Sequence, residues 1–242
     1  MPFAESNGVR LNYRFDGAAG APVLVHSNSL GANLSMWDPQ IPALAERFRV
    51  LRYDTRGHGQ SSVTTGPYSV TQLGRDVVGL LDAVGIERAY FCGLSMGGLI
   101  GMWLGIYTPE RINRLVLCNT AAKIGATETW NARIEMVRTK GMGPVAETQA
   151  QRWFTPAFIA RAPDVIAAAR QMIASTSSEG YAANCGDHSQ SGRPYSLFNA
   201  ARNRQVSRST SFRNVKPSGA RKGNVERETG LEPATFCLGS SL

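Results

Sequence analysis

Polar and apolar residues alternate through Val9-Arg10-Leu11-Asn12-Tyr13-Arg14-Phe15, directly after Asn7-Gly8. A period of two predicts a half-buried strand, and Asn-Gly suits the positive φ angles of a tight hairpin turn. Pro22-Val23-Leu24-Val25-His26 is instead a continuous apolar run, as expected of a strand covered on both faces. A loop rich in Asn, Ser and Gly follows, then a helical stretch over residues 39–47. A further strand over residues 48–54 ends in the turn Thr55-Arg56-Gly57-His58-Gly59.

The pattern then changes period. Val70, Leu73, Val77, Leu80, Leu81 and Val84 recur at helical spacing and form one apolar stripe. Ser69 is placed to cap that helix at its start and Gly85 to end it. Residues 89–92 predict a strand, 96–107 a helix and 114–118 another strand. Strands alternating with helices predict an α/β fold with a mostly parallel sheet and flanking helices.

Beyond residue 120 the pattern turns helical. Short amphipathic segments fall at residues 130–140, 144–154 and 164–174, with no strand among them. The expected organisation is a core over 1–120, a helical cap over 121–185, and a basic tail over 186–242. The tail holds nine Ser, nine Lys+Arg and six Gly, and no Ile, Met or Trp. It follows neither period, so disorder or a non-native origin is the expectation for it.

The 242 residues suit one domain with a full core. The formal charge of +8 is uneven: residues 1–185 carry a net +3 and the tail +5. The basic balance therefore says little about what the folded part binds. The tail has neither aromatic interleaving nor an amphipathic stripe, so nucleic-acid and membrane partners are not expected. The longest apolar stretch, residues 94–107, carries four glycines and is too short to span a bilayer. Cys92, Cys118, Cys185 and Cys237 form no CxxC, and the first two sit in apolar strands as small hydrophobes. A reduced, cytoplasmic protein is the expectation. The pattern leaves the oligomeric state open.

Gly93-Leu94-Ser95-Met96-Gly97 lies between an apolar strand and a helix. Gly-x-Ser-x-Gly in that setting is a nucleophile elbow. Ser95 must stand on a sharp turn to clear the sheet, and Gly93 and Gly97 remove Cβ atoms that would clash there. The following helix aims its N-terminal N–H groups at a developing oxyanion. Met96 N–H is therefore one expected oxyanion donor. The second is expected from Ser27-Asn28-Ser29-Leu30-Gly31, with Ser29 N–H the candidate and Leu30 the alternative one residue on.

These stretches, with Met36-Trp37-Asp38-Pro39-Gln40 and Tyr53-Asp54-Thr55-Arg56-Gly57-His58-Gly59-Gln60-Ser61, resemble the 3-oxoadipate enol-lactonases of the α/β-hydrolase superfamily. The resemblance runs from about Ala4 to Cys185 and includes Glu179-Gly180-Tyr181-Ala182. It implies a serine hydrolase of the β-ketoadipate pathway that opens an enol-lactone in two acyl-transfer steps, with a small ester or lactone as substrate. It implies no cofactor and no metal. A carboxylesterase or cofactor-free perhydrolase would use the same elbow. A third reading is a non-catalytic ligand binder or an inactive truncated product.

The order Ser, then acid, then His expected of such a triad is not met. His26 and His58 precede Ser95, and no strand separates His188 from the cap. Asp187 adjoins His188, without the strand-end geometry a triad needs, and Glu226, Glu228 and Glu232 lie in the tail. A frameshift or fused segment after Cys185 is the expectation, with impaired activity, weak stability and an open sheet edge as its consequences.

Overall fold

The computed structural model of the chain describes residues 2–189. Strands β1 (Phe3–Ser6) and β2 (Val9–Asp16) form the expected hairpin. Asn7 and Gly8 at its turn both take positive φ, 47° and 72°. β3 (Val23–Ser27), β4 (Arg49–Tyr53), β5 (Ala89–Leu94) and β6 (Ile112–Cys118) complete a six-stranded sheet in the order β1-β2-β4-β3-β5-β6. β4, β3, β5 and β6 run parallel, whereas β1 and β2 are antiparallel additions.

Helix α2 (Val70–Ala83) begins where Ser69 accepts a hydrogen bond from Gln72 N–H. Leu73, Val77, Leu80 and Leu81 are buried, so the predicted stripe faces the core. Helix α3 (Met96–Tyr107) has the predicted bounds. The stretch expected as one helix at 39–47 is divided into a 3₁₀ segment, Leu34–Gln40, and the short α1, Ile41–Ala45. Pro39 and Pro42 explain the division, because each removes a backbone donor that a continuous helix would use.

After β6 come α4 (Thr127–Lys140), α5 (Gly143–Trp153), α6 (Pro156–Arg161), α7 (Pro163–Ala174) and α8 (Ser178–Ser189). Three of these match the predicted segments, whereas α6 and α8 were not expected. α8 is stitched to the core. Its Asn184 side chain donates to Arg56 O at 2.8 Å, and Ala183 O accepts from Tyr68 N–H at 2.9 Å. The backbones of Gly57 and Gly180 approach so closely that a Cβ on either would collide with the other. α4 packs along α8, and Arg138 and Glu179 pair across the two at 2.8 Å.

Among the described residues β6 pairs only with β5 and forms one edge of the sheet, with Val116 exposed. No helix there is long and apolar enough to cross a membrane. The tail expected over 186–242 lies, beyond Ser189, outside the described residues.

Candidate active site

The chain leaves β3 toward β4 on one side of the sheet and returns to β5 on the other. The loops after β3 and β5 therefore leave the same end of the sheet, at the point where strand order reverses. That is where open α/β sheets place their ligands. Ser27 stands level with Gly93, so the Ser27–Gly31 loop and the Ser95 turn are neighbours.

Ser95 has φ 54° and ψ −111°, a backbone conformation that side-chain-bearing residues seldom adopt. The neighbours over-determine it. Ser95 N–H donates to Cys118 O at 2.9 Å, and Ser95 O accepts from Thr120 Oγ1 at 2.8 Å and from Gly98 N–H at 2.9 Å. A Cβ at Gly93 would strike Gly97 O, and one at Gly97 would strike Ser27 O. The two glycines let strand, helix and the Ser27–Gly31 loop converge around the serine. The Ser95 side chain is half-buried.

The loop after β3 is fixed by buried polar contacts. Asn28 O accepts from Gly97 N–H at 3.0 Å, tying the loop to the start of α3. The Asn28 side chain donates to Tyr53 O and accepts from Trp37 Nε1, each at 2.8 Å. Gly31 N–H donates to His58 Nε2 at 2.9 Å, and Thr176 Oγ1 donates to Gly31 O at 3.2 Å. With Gly31 N–H so engaged, Ser29 and Leu30 are the loop donors that remain. Among the described residues neither Ser29 N–H nor Met96 N–H meets an acceptor. Two amides are thus left open beside a strained serine.

Neither histidine with a described side chain is placed to serve Ser95 as a base. His58 is fully buried, and its Nε2 lone pair already receives the Gly31 N–H. Burial lowers its pKa to about 4, against a smaller upward effect of the Arg56 carbonyl at 3.4 Å. It joins the Arg56-Gly57-His58 turn to the Ser27–Gly31 loop. His26 stacks on Trp37, with ring centroids 4.2 Å apart. Burial and the Arg52 charge lower its pKa to about 4. Ser95 Oγ has no hydrogen-bond partner among the described residues. The side chains of Asp187 and His188, like Glu226, Glu228 and Glu232, lie outside the described residues. No cluster of three or more His, Cys, Asp or Glu suited to a metal occurs among the described residues.

Sequence reasoning missed the clamp made by His58 and the part played by Asn28 and Trp37. Its only signal was a polar Asn next to an apolar strand. Sequence reasoning also missed the Arg56–Asp76 pair beneath the turn. There Arg56 meets both Asp76 oxygens, at 2.8 and 2.7 Å, in a buried bidentate bridge.

Comparison with known proteins agrees with this geometry. A family model described as the alpha/beta hydrolase fold matches residues 22–207. The chain is 51% identical over 177 residues to 3-oxoadipate enol-lactonase 2 of Acinetobacter baylyi, covering 73% of this chain and 66% of that protein. It is 43% identical over 178 residues to enol-lactonase 1 of the same organism, again covering 66% of the relative. The chain thus spans just under two thirds of these relatives. The crystal structure of the enol-lactonase from Burkholderia xenovorans LB400 superposes with a TM-score of 0.76 at 51% identity, covering 78% of this chain and 73% of that one. A thermophilic esterase from Thermogutta terrifontis superposes with a TM-score of 0.72 at 29% identity, with 78% and 72% coverage.

Proposed function

The chain belongs to the alpha/beta hydrolase family, and from that premise we propose that it derives from a serine hydrolase that opens 3-oxoadipate enol-lactone. The observation that carries this reading is the strained Ser95 turn set against an oxyanion loop whose Ser29 amide, like that of Met96, is left open. The likeness to the Acinetobacter enol-lactonases supports the substrate. In the reaction Ser95 Oγ attacks the lactone carbonyl, and the N–H groups of Met96 and Ser29 receive the oxyanion. The ring C–O bond then breaks, and water releases the acyl group from Ser95.

Attack by Ser95 requires a base. His26 and His58 are unsuited, being buried, neutral and aimed elsewhere. The chain as it stands is therefore impaired, and the acid and histidine belong to sequence that residues 186–242 replace. Loss of a triad histidine costs on the order of 10⁶ in kcat.

Fluorophosphonate labelling tests the proposal. The chain is compared with its Ser95→Ala variant and with a version in which residues after Cys185 are restored from another reading frame of the gene. The restored version should label at Ser95 and hydrolyse the enol-lactone, and the chain itself should label near background. Strong labelling of the unrestored chain would refute its impairment. A folded, restored chain that never labels would refute serine catalysis. The likeness to the Thermogutta esterase favours a carboxylesterase as second reading. Turnover of simple esters without the lactone would favour it.

A further inference from the structure

The face of β5 and β6 turned away from α3 carries two cysteines. α3 packs on the opposite face, where a Cβ at Gly101 would meet Leu115, Leu117 and Phe91. Side chains alternate along a strand, so Cys92 and Cys118 both project from the other side. Neither is in a disulfide, both are half-buried, and they are hydrogen-bonded to each other.

Their register decides what they can do. Cys92 stands level with Val116, and Cys118 with Leu94, so the cysteines are offset by two residues across parallel strands. Strands about 4.8 Å apart, rising about 3.3 Å per residue, put such Cα atoms about 8 Å apart. A disulfide requires about 4.4–6.8 Å. Direct oxidation to a disulfide would need β5 and β6 to move. A single soft atom between the sulfurs would not.

We infer that Cys92 and Cys118 form a two-thiol chelating site for a soft, thiophilic centre of the trivalent arsenical type, at the foot of the Ser95 turn. Softness matches thiolate donors. The Cys92 hydrogen bond holds the Cys118 thiol down at about 7 against burial, so a thiolate is available near neutral pH. With phenylarsine oxide, two As–S bonds form. The arsenic oxygen leaves as water with the two thiol protons, and arsenic stays trivalent. Cys118 O holds Ser95 N–H, so the bound atom would bridge the two strands that support the turn.

The test is intact-mass titration of the reduced full chain with phenylarsine oxide. One phenylarsenic should bind per chain, resist excess mercaptoethanol and leave with a dithiol. Cys92→Ser and Cys118→Ser should each weaken binding at least about 100-fold, the gain of joining two ligands in one site. Cys185→Ala and Cys237→Ser should keep it; the Cys185 thiol is buried and pushed up to about 12. If a serine variant misfolds, maleimide footprinting of the unaltered chain decides, because the arsenical should protect Cys92 and Cys118 together. An adduct that survives both serine variants, maps to Cys185 or Cys237, or washes out with mercaptoethanol would overturn the inference.

Discussion

Acidification should destabilise the fold through the two buried histidines, one of which clamps the Ser27–Gly31 loop. Both rings are held neutral, with pKa values lowered from 6.5 to about 4. Unfolded, both take up protons below about pH 6.5; folded, only near pH 4. Between those values the unfolded chain binds more protons. Stability therefore rises with pH across the window and is lost as pH falls through it. From pH 7 to pH 5 each histidine should cost about 2 kcal/mol, and the pair about 4 kcal/mol. A domain has only about 5–15 kcal/mol to lose. Urea unfolding at pH 5, 6 and 7 measures the slope, and ordinary carboxylates contribute little because they titrate at about 4. His58→Gln should remove about half of that slope, while its amide oxygen keeps an acceptor for Gly31 N–H. Equal stability at pH 7 and pH 5, or a His58 ring that titrates near 6.5 in the folded protein by NMR, would refute the reasoning.

Asp76→Ala should cost about 3–5 kcal/mol, since it strands the buried Arg56 charge, and a double Arg56→Met, Asp76→Leu variant should melt closer to the parent. Gly97→Ala should cost about 1–3 kcal/mol or more, because its Cβ would meet the unyielding Ser27 backbone. Gly20→Ala, in a turn where a Cβ meets nothing within 4 Å, should instead gain about 0.4–1 kcal/mol; thermal melts of the two give opposite signs if the contacts are right. Asn28→Ala leaves Trp37 Nε1 and Tyr53 O without their bonds, and denaturant midpoints should report about 2–4 kcal/mol lost.

The features legible in the sequence are local ones. The Asn7-Gly8 hairpin, the stripe of α2 and the Gly-x-Ser-x-Gly turn each declare themselves within a few residues, because spacing and turn residues at short range carry the signal. α8 does not, since Gly180, Asn184 and Gly186 are poor helix formers. Gly180 is small because Gly57 lies against it, and Asn184 is polar because Arg56 O needs a donor. The bond from Gly31 to His58 spans 27 residues of chain and leaves no periodic trace. Of the candidate site, the serine and its glycines could be read directly. What holds the loop opposite them could not, because it comes from β4 and the turn after it, the 3₁₀ segment and Thr176.

The seam between α8 and the core also bears on how a guest could enter. A lid hinged only at residues 119–126 would have to tear α8 from the Arg56–His58 turn before it could swing. That turn also steadies Gly31, so such a motion would strain the hydrogen bond from Gly31 N–H to His58. α5–α7 lack such stitches: α5 and α7 lean on each other, and Glu147 and Arg170 pair at 3.2 Å. In hydrogen exchange, amides 180–185 should open only with the sheet, and those of α5–α7 earlier and as a group. The helices after β6 would then behave less like a door than like a window set in a fixed frame.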